Sequence, residues 1–573
     1  MKILRRVLVI MFAGWMVLYR ARRWIYAFVL NLRRPRNGVR VQRDLPVLTY
    51  DGLKLATDHY RPARPGTYPT ILIRSPYGRN QQASVFGSLL AFVARRFAER
   101  GYHVIVQDVR GRFDSEGIFY PYFNEQQDGL ATLEWLAEQP WFDGQVALWG
   151  GSYLGIVQWC IAAESPLVKA MVPSITASDL RSILYPDGSV DLGLMLRWPT
   201  IFRLLDQYRN LPRLTSLLML RQTEHMASTG FVHLPLIEDD VVVLGQRVEY
   251  FREWLNTHHL EELWQSAAMQ MRVQDVEAPV HLIGGWYDFF LRAQLKDYTT
   301  LRAAGRMPYL TIGPWHHFET ILSLVDVREG LDWFDAHLKG QTHRLRPDPV
   351  RIYIMGAGEW RDYPAWPPPC TPAAYYLQAA GQLADDEPAS YSRPDTYCYD
   401  PADPTPICGG AFFSLSAGPC NNRSLEARSD VLTYTTPPLA APLEVIGYVR
   451  ARLYVRSSLE HTDFFARLCD VGPAGHSTNL CDGLIRVEPG KGTRQPDGTL
   501  CVDIDMWATA HRFQVGHRIR LQVSSGAHPR WNRNYGTGEP IGECATLRAA
   551  EQMIYHDMQH PSALVLPVVE PVR

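Results

Sequence analysis

Between residues 51 and 176 short apolar runs take turns with stretches whose apolar residues recur every three or four positions, a pattern that predicts strands alternating with helices. D-G-L-K-L-A-T-D at Asp51–Asp58 alternates apolar and polar positions around a D-G turn and predicts a hairpin at a sheet edge. Thr70–Pro76 and His103–Val109 read as buried strands. Leu89–Arg100, with Leu89, Phe92, Val93 and Phe97 at helical spacing and Gly101 behind it, reads as a helix, as does Asn124–Gln139. V-A-L-W-G-G at Val146–Gly151 and the run Lys169–Thr176 add two strands. Short connections between such elements imply a parallel sheet covered on both faces, with ligands beyond the carboxyl ends of its strands. From Ala177 to Met271 the pattern turns helical, as in Leu192–Tyr208 and Val248–Leu263, and an all-helical insert after a strand end is expected to cap the site. Strands resume at Ala278–Gly285 and Tyr309–Gly313. After Lys339 helical spacing stops, and short strands at Val350–Met355, Val445–Val455, Leu500–Trp507 and Arg518–Ser524 predict a separate all-β sandwich, with 365–408 as a loop-rich crossover. The expected division is an N-terminal arm (1–36), an α/β domain in two parts (37–176 and 276–345), a helical cap (177–275) and a β unit (346–573).

At 573 residues the chain is too long for one core. Its 58 basic and 59 acidic residues nearly cancel, which argues against a nucleic-acid partner. Nine cysteines, eight of them after residue 369 and none in a C-x-x-C pair, suggest buried thiols in a reducing compartment rather than a disulfide framework or a zinc site. The N-terminus alters the picture. Val7–Tyr19 is apolar and flanked by arginines, but a helix of that length covers only about 20 Å of a hydrocarbon layer roughly 30 Å thick. With no cleavage site behind it, and Trp24–Leu32 as a second apolar patch, the expectation is a peripheral membrane-surface contact through residues 1–34 on an otherwise cytoplasmic protein. A packing arm is the plainer alternative.

The chemistry gathers at predicted strand ends. V-A-L-W-G-G-S-Y-L-G hands a strand to a helix through two glycines and Ser152, the form of a nucleophile elbow, although Leu154 stands where the general pattern has its second glycine. Asp288 follows one later strand, and His316 and His317 follow another. A serine hydroxyl needs an imidazole to take its proton, and the imidazole needs a carboxylate to fix its tautomer. The chain order Ser152, Asp288, His317 is the one an α/β-hydrolase requires; His316 is the local rival of His317. The Tyr153 amide and the Tyr77 phenol are candidate donors to an oxyanion. D-V-R-G-R-F-D-S-E-G at 108–117 reads as a structural turn with internal Arg–Asp pairing. No Walker loop, H-E-x-x-H or dinucleotide fingerprint is present, so no cofactor and no metal are expected.

These motifs, P-Y at 76–77, the 108–117 run, G-G-S-Y-L-G at 150–155, G-W-Y-D at 285–288, G-P-W-H-H at 313–317, G-H-R-I-R-L-Q-V-S-S at 516–525 and P-R-W at 529–531, resemble the cocaine esterase and X-prolyl dipeptidyl peptidase family of serine hydrolases over about residues 45–545. The resemblance implies Ser152 as nucleophile, Asp288 as acid member and His317 as base. It further implies that the Tyr77 hydroxyl and the Tyr153 amide form the oxyanion hole, and that the C-terminal unit is a jelly roll. Leu154 is ordinary in the family's S-Y-x-G form. The expected activity is hydrolysis of a small ester or amide, or of a short peptide, through an acyl-enzyme. An X-prolyl aminopeptidase would also need a cap carboxylate for the substrate ammonium, with Asp187, Asp191, Glu238, Asp239 and Asp240 as candidates. An acyltransferase, and a membrane-associated binding protein with an idle site, complete the alternatives.

Overall fold

The computed structural model describes residues 21–209, 215–256, 260–265 and 271–569. The chain forms two compact units, one of Met1–Pro173, Glu277–His281 and Leu322–Leu345, the other of Ser174–Val276, Leu282–Ile321 and Arg346–Arg573. Residues 1–20 of the expected N-terminal arm lie outside the described residues. Among the described residues no helix is long and apolar enough to cross a membrane.

In the first unit six strands lie in the order β1-β2-β4-β3-β5-β6: β1 Val39–Leu48, β2 Lys54–Pro62, β3 Thr70–Ser75, β4 His103–Asp108, β5 Val146–Gly151 and β6 Val168–Ser174. The predicted hairpin is β1 and β2, antiparallel, with β1 outermost. β3 runs parallel to β4 on one side and β5 on the other, so the ends of β3 and β5 point the same way. Ile71, Leu72, Ile73, Val104, Ile105, Val106, Val146, Ala147 and Leu148 are buried in these strands, each large side chain contributing roughly 1.5–3 kcal/mol. Three helices make the crossovers: α1 Val85–Ala98, α2 Glu125–Ala137 and α3 Tyr153–Ala162. Ser84 caps α1 by accepting from the Gly87 amide, and Gly101 ends the connection at a φ of 84°.

In the second unit β7 His281–Tyr287, β8 Tyr309–His316, β9 Val350–Ile354 and β10 Glu359–Tyr363 lie side by side in sequence order, with β8 and β9 parallel and β10 antiparallel to β9. The described residues between 177 and 275 are mainly helical, including α4 Leu180–Leu184, α5 Leu192–Gln207, α6 Thr215–Gly230 and α7 Asp239–Leu244. The single helix expected over Val248–Leu263 is instead two, α8 Glu249–Leu255 and α9 Leu260–Gln265. Asn256, a residue that favours helix ends, leaves helical space at φ −83°, ψ 97°.

The C-terminal residues form a twelve-stranded β system around Val449, Leu453, Phe464, Leu468, Ile504, Met506, Leu521, Val523 and Leu564. Two expectations need correction. The stretch 365–408 carries strands at Thr371–Gln378, Gln382–Ala384 and Asp395–Tyr399; Pro372 stands opposite Pro567, so a residue that would signal a loop sits where its missing N–H breaks no ladder. The cysteines are not all buried thiols either. Cys408 and Cys420 form a disulfide, while Cys370 and Cys398 are exposed.

Candidate active site

Strand β5 delivers Ser152 at its carboxyl end, and α3 begins one residue later. Ser152 has φ 57° and ψ −128°, a conformation few residues with a Cβ adopt, and it costs about 1–3 kcal/mol. The turn is possible because of Gly150, at φ 145°, where an added Cβ would lie 2.5 Å from that of Leu154. Tyr77 follows the neighbouring strand β3. Its amide donates to Ser75 Oγ at 3.0 Å, the Ser84 hydroxyl donates to its carbonyl, and its half-buried ring lies 5.5 Å from that of Phe86. Tyr153 is buried, and its phenol donates to Glu125 Oε1 at 2.6 Å while accepting from the Tyr122 amide at 3.1 Å. That anchor leaves the Tyr153 backbone N–H at the first turn of α3, where helix amides lack internal acceptors.

Sequence reasoning missed the support beneath this turn. Arg74 Nη1 meets Glu125 Oε2 at 2.9 Å and donates to the Glu125 carbonyl at 2.8 Å, so Arg74, Glu125 and Tyr153 form a buried chain. Burial pushes the Glu125 carboxyl up, with Arg74 opposing it. The available signal was one arginine inside T-I-L-I-R-S, a run otherwise fit for a buried strand. The 108–117 run forms a turn, as expected, and several of its charges also pair with groups outside it. Asp108 and Asp114 meet Arg79 Nη1 at 2.5 and 2.7 Å, and Arg110 meets Asp128 and Asp51, each at 2.6 Å. Asp108, deeply buried, is pushed up to about 7 despite Arg79.

In the second unit Asp288 follows β7 and His317 follows β8. Asp288 Oδ2 lies 2.7 Å from His317 Nδ1, and Asp288 Oδ1 accepts from the Phe290 amide at 2.8 Å. Both side chains are buried. A carboxylate held on Nδ1 places the imidazole proton there and leaves Nε2 as the basic nitrogen. His316 goes elsewhere. Its amide donates to Glu319 Oε2 at 3.1 Å, its Nε2 lies 3.7 Å from the same oxygen, and burial lowers its pKa. Of the two histidines that the sequence left as rivals, His317 is the one that meets Asp288.

Four of the five cap carboxylates are engaged: Asp187 with Arg292 at 2.5 Å, Asp191 with the Leu194 amide at 2.8 Å, Asp239 with His233 at 2.7 Å and Asp240 with Arg252 at 2.7 Å. Glu238 is exposed. Among the described residues no group of three or more His, Cys, Asp or Glu side chains is arranged to hold a metal ion.

Residues 51–319 match the model of the X-Pro dipeptidyl-peptidase S15 family, and residues 343–565 match the C-terminal non-catalytic domain of X-Pro dipeptidyl-peptidases. A cocaine esterase from Rhodococcus sp. is 34% identical across 91% of this chain and 97% of its own length. The chain belongs to this serine hydrolase family. Like its S15 relatives it is an enzyme, a hydrolase with an α/β-hydrolase domain and a C-terminal β domain. Solved structures agree on the fold. An aminopeptidase from a marine sediment archaeon (Thaumarchaeota) has a TM-score of 0.76 at 22% identity, and an α-amino acid ester hydrolase 0.77 at 21%; each comparison covers 93% of this chain and 97% of the other.

Proposed function

We propose that this S15-family hydrolase cleaves small esters through an acyl-enzyme formed on Ser152, with His317 as base, Asp288 as its orienting acid, and the Tyr77 hydroxyl and Tyr153 amide as oxyanion donors. The observation that carries the reading is the buried 2.7 Å contact between His317 Nδ1 and Asp288. It supports Nε2 as the nitrogen that takes the proton. In the first half-reaction the Ser152 hydroxyl adds to the carbonyl carbon while its proton passes to Nε2. The tetrahedral oxyanion then collapses, the C–O bond to the alcohol breaks, and the imidazolium returns the proton to the departing oxygen. Water repeats the sequence on the acyl-serine and releases the acid.

Cleavage after an N-terminal X-Pro pair is the second reading, and the family model's own description supports it. It requires a cap carboxylate open to the substrate ammonium. The engagement of Asp187, Asp191, Asp239 and Asp240, which leaves Glu238 alone of the five candidates exposed, is the reason to prefer esters. We also assign residues 1–34 to a peripheral membrane-surface contact. The helix over 21–29 presents Phe28 and Val29 at 88% and 70% exposure beside Arg22 and Arg23.

Labelling with a fluorophosphonate probe tests the catalytic assignment. Wild type should carry a single adduct on the Ser152 peptide, and Ser152→Ala should fold and carry none. A folded wild type that takes no label would overturn the assignment in favour of an idle site. Paired Ala-Pro and N-acyl-Ala-Pro amides beside simple esters then separate the two readings, since only a peptidase demands the free amine.

A further inference from the structure

Residues 408–420 read C-G-G-A-F-F-S-L-S-A-G-P-C, and the two terminal cysteines are joined. Inside the covalent ring Gly410 and Gly418 exchange backbone hydrogen bonds of 2.7 and 2.9 Å, so the segment is a closed hairpin. Its tip reaches the histidine. The Phe413 ring lies 5.6 Å from that of His317 in an edge contact, 5.6 Å from Phe289 and 5.2 Å from Phe318. Phe289, Phe290 and Phe318 meet the imidazole at 4.8, 5.8 and 5.8 Å. Phe318 adjoins His317 in the chain, Phe289 and Phe290 follow Asp288, and Phe413 comes from the disulfide ring.

The rest of the tip is attached as well. Phe412 lies 5.8 Å from the Arg197 guanidinium, and the Ser414 hydroxyl donates to Glu224 at 3.0 Å, the carboxylate that pairs with Arg197. The base of the hairpin has supports besides the disulfide. Arg467 Nη1 donates to the Cys408 carbonyl at 2.7 Å, and Asn479 bonds both the Cys420 amide, at 2.7 Å, and the Gly418 carbonyl, at 3.1 Å. Between base and tip, however, the neck consists of Gly409, Gly410 and Gly418 at φ 59°, 95° and 103°. Such a neck is permissive. The covalent bond narrows it together with the Gly410–Gly418 pair.

We propose that the Cys408–Cys420 disulfide is a positioning element for His317, holding Phe413 against the imidazole, and that it makes turnover sensitive to reduction. The proposal rests on His317 acting as the base. Both cysteines are half-buried rather than sealed in the core. A dithiol can therefore attack one sulfur to give a mixed disulfide. Its second thiol then closes on the first, leaving two cysteine thiols and an oxidised cyclic dithiol. Because Arg467 and Asn479 still hold the base, the reduced hairpin stays in place but lets its tip drift.

The test uses the full chain. Free thiols, Cys370 and Cys398 among them, are first blocked with N-ethylmaleimide. The folded enzyme is then treated with dithiothreitol, newly exposed thiols are capped with iodoacetamide, and mass spectrometry of the 408–420 peptide reports the reduction. Hydrolysis of 4-nitrophenyl butyrate should show kcat lower by about fivefold or more, within the roughly 10²-fold that misplacing a reacting group by 1 Å costs, with KM little changed. Cys408→Ser/Cys420→Ser should start at the reduced level and ignore dithiothreitol, and Ser152 should take fluorophosphonate in every form. Equal kcat in the oxidised and reduced enzymes would overturn the proposal, as would a change confined to KM. The reduction of folded wild type decides the matter even if the double variant does not fold. Absence of labelling in the oxidised enzyme would bring down the catalytic assignment and the proposal with it.

Discussion

Ser152 sits at φ 57°, ψ −128°, a strained conformation at the carboxyl end of β5 where the strand hands over to α3. The elbow was legible because its signal is local: a buried run, glycine, serine and a helix-compatible segment within ten residues. Glu125 was not legible. Its importance arises only when α2 brings it to Arg74 and Tyr153, an association between positions 51 and 28 residues apart with no sequence period behind it. Tyr77 is the residue whose role is most open to measurement. Its backbone is fixed by Ser75 and Ser84, so removing the phenol oxygen should leave its position unchanged. Tyr77→Phe is expected to lower kcat by roughly 10²-fold, since one oxyanion donor supplies about 2.7–4 kcal/mol. Single-turnover acylation is the measurement, because it isolates the step in which the oxyanion forms. An unchanged acylation rate would remove Tyr77 from the oxyanion hole.

At the scale of elements, periodicity located strands and helices to within a few residues wherever an element buries a continuous face, as in β3, β4 and α1, where packing and local pattern ask for the same residues. It failed for Thr371–Gln378, a strand that contains a proline, and for the break at Asn256. It also could not tell a carboxylate that caps a helix from one that meets a ligand. Asp191 is the clearest instance. A candidate for ammonium binding in the sequence, it caps α5 through the Leu194 amide, and burial pushes its pKa up to about 7. The folded state then holds a proton that the unfolded chain has already lost between about pH 4 and 7. Stability from this group is present below that window and is lost as pH rises through it. Asp191→Asn keeps the cap and cannot ionise. Its urea midpoint relative to wild type should rise between pH 5 and pH 8, by a few kcal/mol in free energy, given about 1.4 kcal/mol per pKa unit. A difference independent of pH would show that the Asp191 carboxylate is not held protonated in the native state.

For the molecule as a whole, the sequence made the α/β-hydrolase class and the C-terminal β domain legible, because alternating strands and helices give way to short strands at one place in the chain. The disulfide was not legible, since spacing alone does not bring Cys408 to Cys420; the glycine-rich hairpin between them does. The N-terminal arm poses the remaining question at this scale. The helix over 21–29 docks by one side, with the Tyr26 ring 5.1 Å from Phe92 and beneath the Arg96 guanidinium, and Ala27 is buried. Trp24 and Phe28, one helical turn apart, stay exposed at 44% and 88%. An amphipathic surface flanked by arginines gains from burying apolar area at a lipid interface and from anionic headgroups, the latter at about 1 kcal/mol per charge. The full chain should therefore cosediment with vesicles containing anionic phospholipid, and added salt should weaken the association. Trp24→Ser/Phe28→Ser/Val29→Ser should bind less tightly, and a chain lacking residues 1–34 should stay in the supernatant with its kcat on a soluble ester unchanged. Equal sedimentation of the full and shortened chains would instead make the arm a packing element, held by Tyr26 and by the Arg33 pairing with Asp335.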